Sequence, residues 1–150
     1  MGQATTLPEP GCILSPLARY RCSPAEVILD GVSMQVDPFL LAAGNGRFLA
    51  GGMKVCPSAV PDDGLLEVVL CDGLGKLETL AVLPRVYGGG HVKHPKVSVF
   101  AAREVTVSSQ AELTVQADGE LIGKAPATFR VVPLGLQIVG CGRRHVREQA

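Results

Sequence analysis

Four Asp-Gly pairs, at 30–31, 63–64, 72–73 and 118–119, cut this chain into short runs of strand-forming residues. Asp-Gly is favoured where two successive residues must take positive φ, the geometry that joins antiparallel strands most tightly. AEVIL and VSMQV therefore form a hairpin about Asp30-Gly31, and a second hairpin turns at Asp118-Gly119. Eighteen Gly and eleven Pro among 150 residues exceed the ~12% the two usually supply, which argues for many turns and against a helical bundle.

Between the hairpins, FLLAAGNGRFLAGGMKV reads as an apolar strand, a glycine-rich bend and a further extended piece. LLEVVLC is a strand whose Val68, Val69 and Leu70 call for burial on both faces, closed by Asp72-Gly73. One segment has helical spacing: over 74–87, Leu74, Leu77, Leu80, Ala81 and Val86 recur every three or four residues, with Pro84 expected to kink or end the helix. GGGH terminates it, and VSVF, EVTVSS, ELTVQA, LIG, ATFRVV and LQIVG follow as strands. The fold expected is mainly β, a sandwich of mostly antiparallel strands with one covering helix. Its domain spans 19–142, after a poorly ordered leader over 1–18 rich in Pro and before a polar tail over 143–150.

Fourteen Lys and Arg balance fourteen Asp and Glu, so net charge gives no reason to expect capture of nucleic acid. No apolar run reaches the ~20 residues a membrane-crossing helix needs, and the start lacks the pattern of a signal peptide, so a soluble cytoplasmic protein is expected. Cys12, Cys22, Cys56, Cys71 and Cys141 are odd in number and form no C-x-x-C pair. They read as small hydrophobes in a reducing compartment.

Four places could carry chemistry. The loop AAGNGRFLAGGMK lacks the third glycine of a dinucleotide fingerprint, since Leu49 stands there, and is either a tight β-bend or a ligand loop. VPDDGLL is either a solvated type I turn with Pro61 at its second position or a hard-cation site using one Asp and inward-turned carbonyls. QADGE is a charged hairpin tip, or Asp118 and Glu120 divide metal and base duties there. GGGHVKHP sets His91 and His94 three apart in what Gly and Pro make a loop, which is an uninvolved surface loop or else a basic, mobile loop near a phosphorylated or lipidic group, either being favoured over a metal site.

AEVILDG, AAGNGRFLAGGMKVCPSAVPDDGLLEVV, LPRVYGGGHVKHPKV, VQADGE and a terminal APATFRVVP hairpin occur in an order that resembles the C-terminal domain of the bacterial diacylglycerol kinase family, over about 19–140. The resemblance implies a two-domain lipid kinase, with an N-terminal half that binds ATP, a C-terminal β-sandwich and an active site between them. Carried over residue by residue, Glu120 aligns with the general base that takes the proton from a lipid hydroxyl as it attacks the γ-phosphate. An Mg²⁺ site maps onto the carbonyl of Val60, the carboxylate of Asp63 and the carbonyl of Leu65, with Asp118 nearby to order metal-bound water. Asn45, Gly46, Gly51 and Gly52 match residues lining the cleft that receives cofactor and substrate, while Ala50 stands where many members carry Gly.

The family's G-G-D-G-T phosphate loop has no counterpart here. The resemblance therefore implies the acceptor-side half of an ATP-dependent kinase acting on diacylglycerol or a related lipid at a membrane surface. Little or no activity is expected of this chain alone, because in-line transfer needs ATP held by a nucleotide-binding half in cis or in trans. Peripheral contact with the inner membrane face and a homodimer are both allowed. The rival reading is a noncatalytic β-sandwich that binds a partner protein or a lipid.

Overall fold

The computed structural model describes residues 22–49 and 51–136. The leader and tail assigned above, Cys12, Cys141 and all but the first residue of LQIVG lie outside them. The Asp30-Gly31 turn joins β1 (Ala25–Leu29) to β2 (Val32–Val36), with both turn residues at positive φ as the dipeptide predicts. β3 (Pro38–Gly44) leads through the glycine-rich bend to β4 (Leu66–Asp72), followed by α1 (Lys76–Val86) and a 3₁₀ turn at Gly90–Lys93. β5 (Val97–Ala102), β6 (Glu104–Ser108), β7 (Thr114–Ala117), β8 (Glu120–Lys124) and β9 (Ala127–Arg130) complete the described chain.

All the strand pairings are antiparallel and form a four-stranded sheet in the order β2-β1-β6-β9, a three-stranded sheet β3-β4-β5 and the β7-β8 hairpin. Alternation decides how the first two face each other. Ala25, Val27 and Leu29 of β1 and Val105 and Val107 of β6 point the same way and meet Leu66, Val68 and Ala102 of the second sheet in one buried core. The opposite face of β4 carries Val69 and Cys71 into a second core with Val55, Cys56, Ala59, Leu74, Val82 and Val97, which α1 covers. β4 is thus buried on both faces, as its apolar run requires. The expected sandwich with one covering helix is the fold found.

Local readings differ in three places. APATFRVVP does not close as its own hairpin: β9 returns to the larger sheet and pairs with β6, where Thr106 and Thr128 hydroxyls meet at 2.9 Å. Helix α1 runs two residues past Pro84, which sits in its last turn. Its rotational phase also differs from the one its leucines imply, since Thr79 and Val82 face the core while Leu77 is 83% and Leu80 38% exposed. Thr79 can be buried because its hydroxyl donates to Gly75 O at 3.0 Å, and Glu78 reaches back to accept from the Gly75 amide at 2.8 Å. Among the described residues no helix is long and apolar enough to cross a membrane.

Candidate functional site

The bend after β3 and the segment before β4 are joined by a set of hydrogen bonds that follow from Gly44. A Cβ on that residue would stand 2.7 Å from Cys56 Sγ and 3.1 Å from Gly46 O, so only glycine lets the bend lie against the 55–60 segment. Arg47 Nε then donates to Ala59 O at 3.0 Å, Cys56 N to Arg47 O at 3.4 Å, and Asn45 Nδ2 to Pro61 O at 3.3 Å. The glycine-rich bend and the PDDG turn, read separately from the sequence, are one connected structure.

The PDDG segment folds as the turn its residues favour, with Asp63 N donating to Val60 O at 3.4 Å across Pro61. Asp63 Oδ1 accepts from Leu65 N at 2.9 Å, and Gly64 supplies a positive φ of 74°. Val60, Asp63 and Leu65 line a common depression of about 240 Å³, and Glu67 of β4 lines it too. Glu67 is only 6% exposed and neither of its carboxylate oxygens completes a hydrogen bond. Burial pushes its carboxyl above the usual range, partly offset by the nearby amides of Ser58 and Ala59 and by His91 and Arg47. A buried carboxylate, an exposed Asp and two backbone carbonyls around one depression are the kind of oxygen donors that a hard divalent cation takes. Among the described residues no three His, Cys, Asp or Glu side chains converge as a metal group, so such a cation would depend on backbone oxygens.

A second, larger concavity of about 630 Å³ is lined by β3, the 45–49 bend, Val105, Val107, Phe129 and the 113–118 stretch of β7 and its turn. Its walls are largely apolar, with Asn45, Gly46 and Asp118 among them. Asp118 and Gly119 both take positive φ, as the hairpin turn requires. Glu120 opens β8 opposite Ala117, which also lines the cleft. The Glu120 side chain is exposed and does not itself form the cleft wall. Gly51 and Gly52, at φ 70° and 89°, turn the chain between the bridged residues Leu49 and Met53 and line neither concavity.

The structure thus brings Asn45, Gly46 and Asp118 to one cleft and Val60, Asp63 and Leu65 to one depression, the two sets connected through the Asn45–Pro61 bond. His91, expected on a surface loop, is instead 2% exposed within the 3₁₀ turn, with Nε2 3.0 Å from Val55 O. His94 Nδ1 accepts from the Lys96 amide at 3.3 Å. Glu67 was not among the residues expected at the site. Glu67 had a visible signal, a carboxylate inside a run that must be buried on both faces.

Comparison with known proteins converges on one family. The family model for the YegS C-terminal NAD kinase beta sandwich-like domain matches residues 10–140. The chain is 34% identical over 128 residues to a diacylglycerol kinase of Mycobacterium tuberculosis, covering 85% of this chain and 41% of that protein. It is 33% identical over 100 residues to a diacylglycerol kinase of Staphylococcus aureus, covering 67% and 32% respectively. A solved diacylglycerol kinase from Bacillus anthracis shares the fold at TM-score 0.62 and 20% identity, over 82% of this chain and 43% of that one. The chain spans less than half the length of these relatives. With this ordered motif set, this sandwich and a matching model over most of its length, the chain belongs to the YegS C-terminal NAD kinase beta sandwich-like domain family.

Proposed function

We propose that residues 19–142 form the acceptor-side domain of an ATP-dependent lipid kinase that phosphorylates diacylglycerol or a related lipid alcohol. The observation that carries this reading is the apolar cleft with Asn45, Gly46 and Asp118 on its walls and the free carboxylate of Glu120 two residues beyond Asp118. An apolar cavity of that size suits a lipid's hydrocarbon portion, and polar groups gathered at one part of it suit the headgroup.

In the proposed reaction the lipid hydroxyl oxygen forms a bond to the γ-phosphorus of ATP as the bond from that phosphorus to the β–γ bridging oxygen breaks. ADP leaves, and the hydroxyl proton passes to the Glu120 carboxylate. Asp118, at the same turn, orients polar groups near the reacting oxygen. Asn45 is held by its bond to Pro61 O, so the bend keeps its shape next to the cleft. Val60, Asp63, Leu65 and Glu67 are the residues that would hold Mg²⁺. When bound, that ion would supply positive charge and ordered water beside the phosphoryl group. ATP itself would be gripped mainly by a nucleotide-binding half supplied in cis or in trans, which is why the chain alone is expected to transfer little phosphate.

The test is to join this chain to the part of the Mycobacterium tuberculosis relative that it does not match and follow Mg²⁺-dependent transfer of labelled phosphate to diacylglycerol. Glu120→Gln should lower the rate by about 10²- to 10⁴-fold, the usual worth of a general base. Ser33→Ala, on the exposed edge strand β2, should leave it unchanged. A restored activity indifferent to Glu120 would overturn the assignment.

A further inference from the structure

The outward face of α1 has no use in the reaction proposed above. Leu77, Leu80, Ala81, Pro84 and Tyr87 recur at intervals of three and four along it and are exposed, Leu77 at 83% and Tyr87 at 48%. A helix covering a sheet ordinarily turns such a stripe inward. Here the inward positions are taken by Thr79 and Val82, so the stripe faces away from the protein's own core.

The sequence around this helix is predominantly basic. Between 73 and 99 there are four Lys and Arg (Lys76, Arg85, Lys93 and Lys96) against the single acid Glu78, in a chain whose formal net charge is zero. Glu78 is itself paired to Lys96 at 2.6 Å, while Arg85 near the end of the helix and Lys93 in the following 3₁₀ turn are exposed. Exposed apolar side chains also occur at Phe48, Val132, Leu134 and Leu136 and, on β8, at Leu121 and Ile122, the last two following Asp118 and Glu120 in the chain, with the nearby Lys124 paired to Glu112. An eleven-residue helix is only about 16 Å long, and one face of it offers far less than the ~800 Å² per partner of a stable protein interface. Apolar side chains rimmed by cations on a short helix match the surface of an anionic bilayer.

We infer that the exposed face of α1 is a membrane-docking surface that inserts Leu77, Leu80 and Tyr87 at the level of anionic phospholipid headgroups, with Arg85 and Lys93 paired to their phosphates. Each such cation is worth about a fivefold gain in partitioning to an anionic surface. The inference does not depend on which reaction the cleft performs.

Co-sedimentation of the chain with vesicles tests it, without ATP. Binding is expected to vesicles of phosphatidylglycerol mixed with phosphatidylcholine, to weaken in high salt, and to be much weaker on phosphatidylcholine alone. Leu77→Gln with Leu80→Gln should weaken binding at least tenfold, and Arg85→Glu with Lys93→Glu by about 25-fold or more. These positions are exposed, so an unchanged melting temperature verifies that the variants fold. Leu121→Gln with Ile122→Gln should bind as wild type. Absence of binding to the anionic vesicles, or equal binding by the α1 variants, overturns the inference, as does a dimer in solution that Leu77→Gln with Leu80→Gln dissociates. Glu120→Gln should bind vesicles normally, so failure of docking and failure of the kinase reading are read separately.

Discussion

Asp30 links sequence-distant parts of the fold through one side chain. Its carboxylate accepts hydrogen bonds from the amides of Arg103 at 2.9 Å and Glu104 at 2.8 Å, fastening the first hairpin's turn to the start of β6. The hairpin itself was legible in the Asp-Gly dipeptide, but the second duty of the aspartate was not, because its partners lie 73 and 74 residues away. Burial effects on single groups are more readable. Cys56 and Cys71 fall in the core, as expected of free cysteines outside a metal or disulfide pattern. Burial pushes both thiols up to about 11, with the Glu67 charge adding to the effect on Cys56. A raised acid pKa in the folded state stabilises the fold fully below the unfolded thiol's pKa and loses that contribution as pH rises through the folded value. Stability should therefore fall between about pH 9 and pH 11, by up to about 1.4 kcal/mol per pH unit for each thiol, and urea denaturation across that range measures it. Replacing both by Ala should flatten this part of the pH profile, and at pH 8 mass spectrometry should find Cys22 alkylated well before either buried thiol. A profile equally steep in the double variant would show that other groups control it.

Elements differ in how far their sequences determine their surroundings. β4 is clear from its text alone, since an unbroken apolar run between Asp-Gly turns has to be covered on both sides, and two cores cover it. Helix α1 is ambiguous, because its residues contain two apolar rows. Leu77, Leu80 and Ala81 form the row with more leucine, whereas Val82 and partly buried Val86 form the row that packs. What decides between them is satisfaction of polar groups: Thr79 closes its own hydrogen bond to Gly75, and Lys54 N donates to Val86 O at 3.1 Å, tying the packing row to the 53–56 segment. The second contact joins residues distant in sequence, and periodicity does not reveal it. The consequence is testable by thermal or urea unfolding. Val82→Ala should cost about 2 kcal/mol through lost burial and a residual cavity, while Leu77→Ala should cost less than about 0.5 kcal/mol. The reverse order would mean that the leucine row faces the core.

At the scale of the molecule, sequence order gives way to proximity created by long-range pairing. The motifs NGR, PDDG and DGE were each legible as turns, and their order carried the family resemblance, but nothing local tells that Asn45 and Pro61 bond or that β7 closes the cleft wall opposite β3. Glu67 belongs to this scale too. It is a carboxylate in a core strand, and it lines the same depression as Val60, Asp63 and Leu65. Burial of this carboxylate is only partly offset by the loop amides, His91 and Arg47, and a bound cation would lower the remaining cost. Mg²⁺ should therefore raise the melting temperature, by a stabilisation of about 1.4 kcal/mol when the free ion is tenfold above Kd. Asp63→Ala should abolish the gain by removing the one exposed carboxylate at the site. Glu67→Gln should reduce it while raising stability in the absence of the ion, because the buried charge is gone and the side chain keeps its shape. Calorimetry with Mg²⁺ and, as a control for ionic strength, with an equivalent of NaCl distinguishes binding from screening. Equal shifts in the two salts, or a full Mg²⁺ response in Asp63→Ala, would remove the cation from the account and leave Glu67 as a buried charge compensated only by Arg47, His91 and the loop amides.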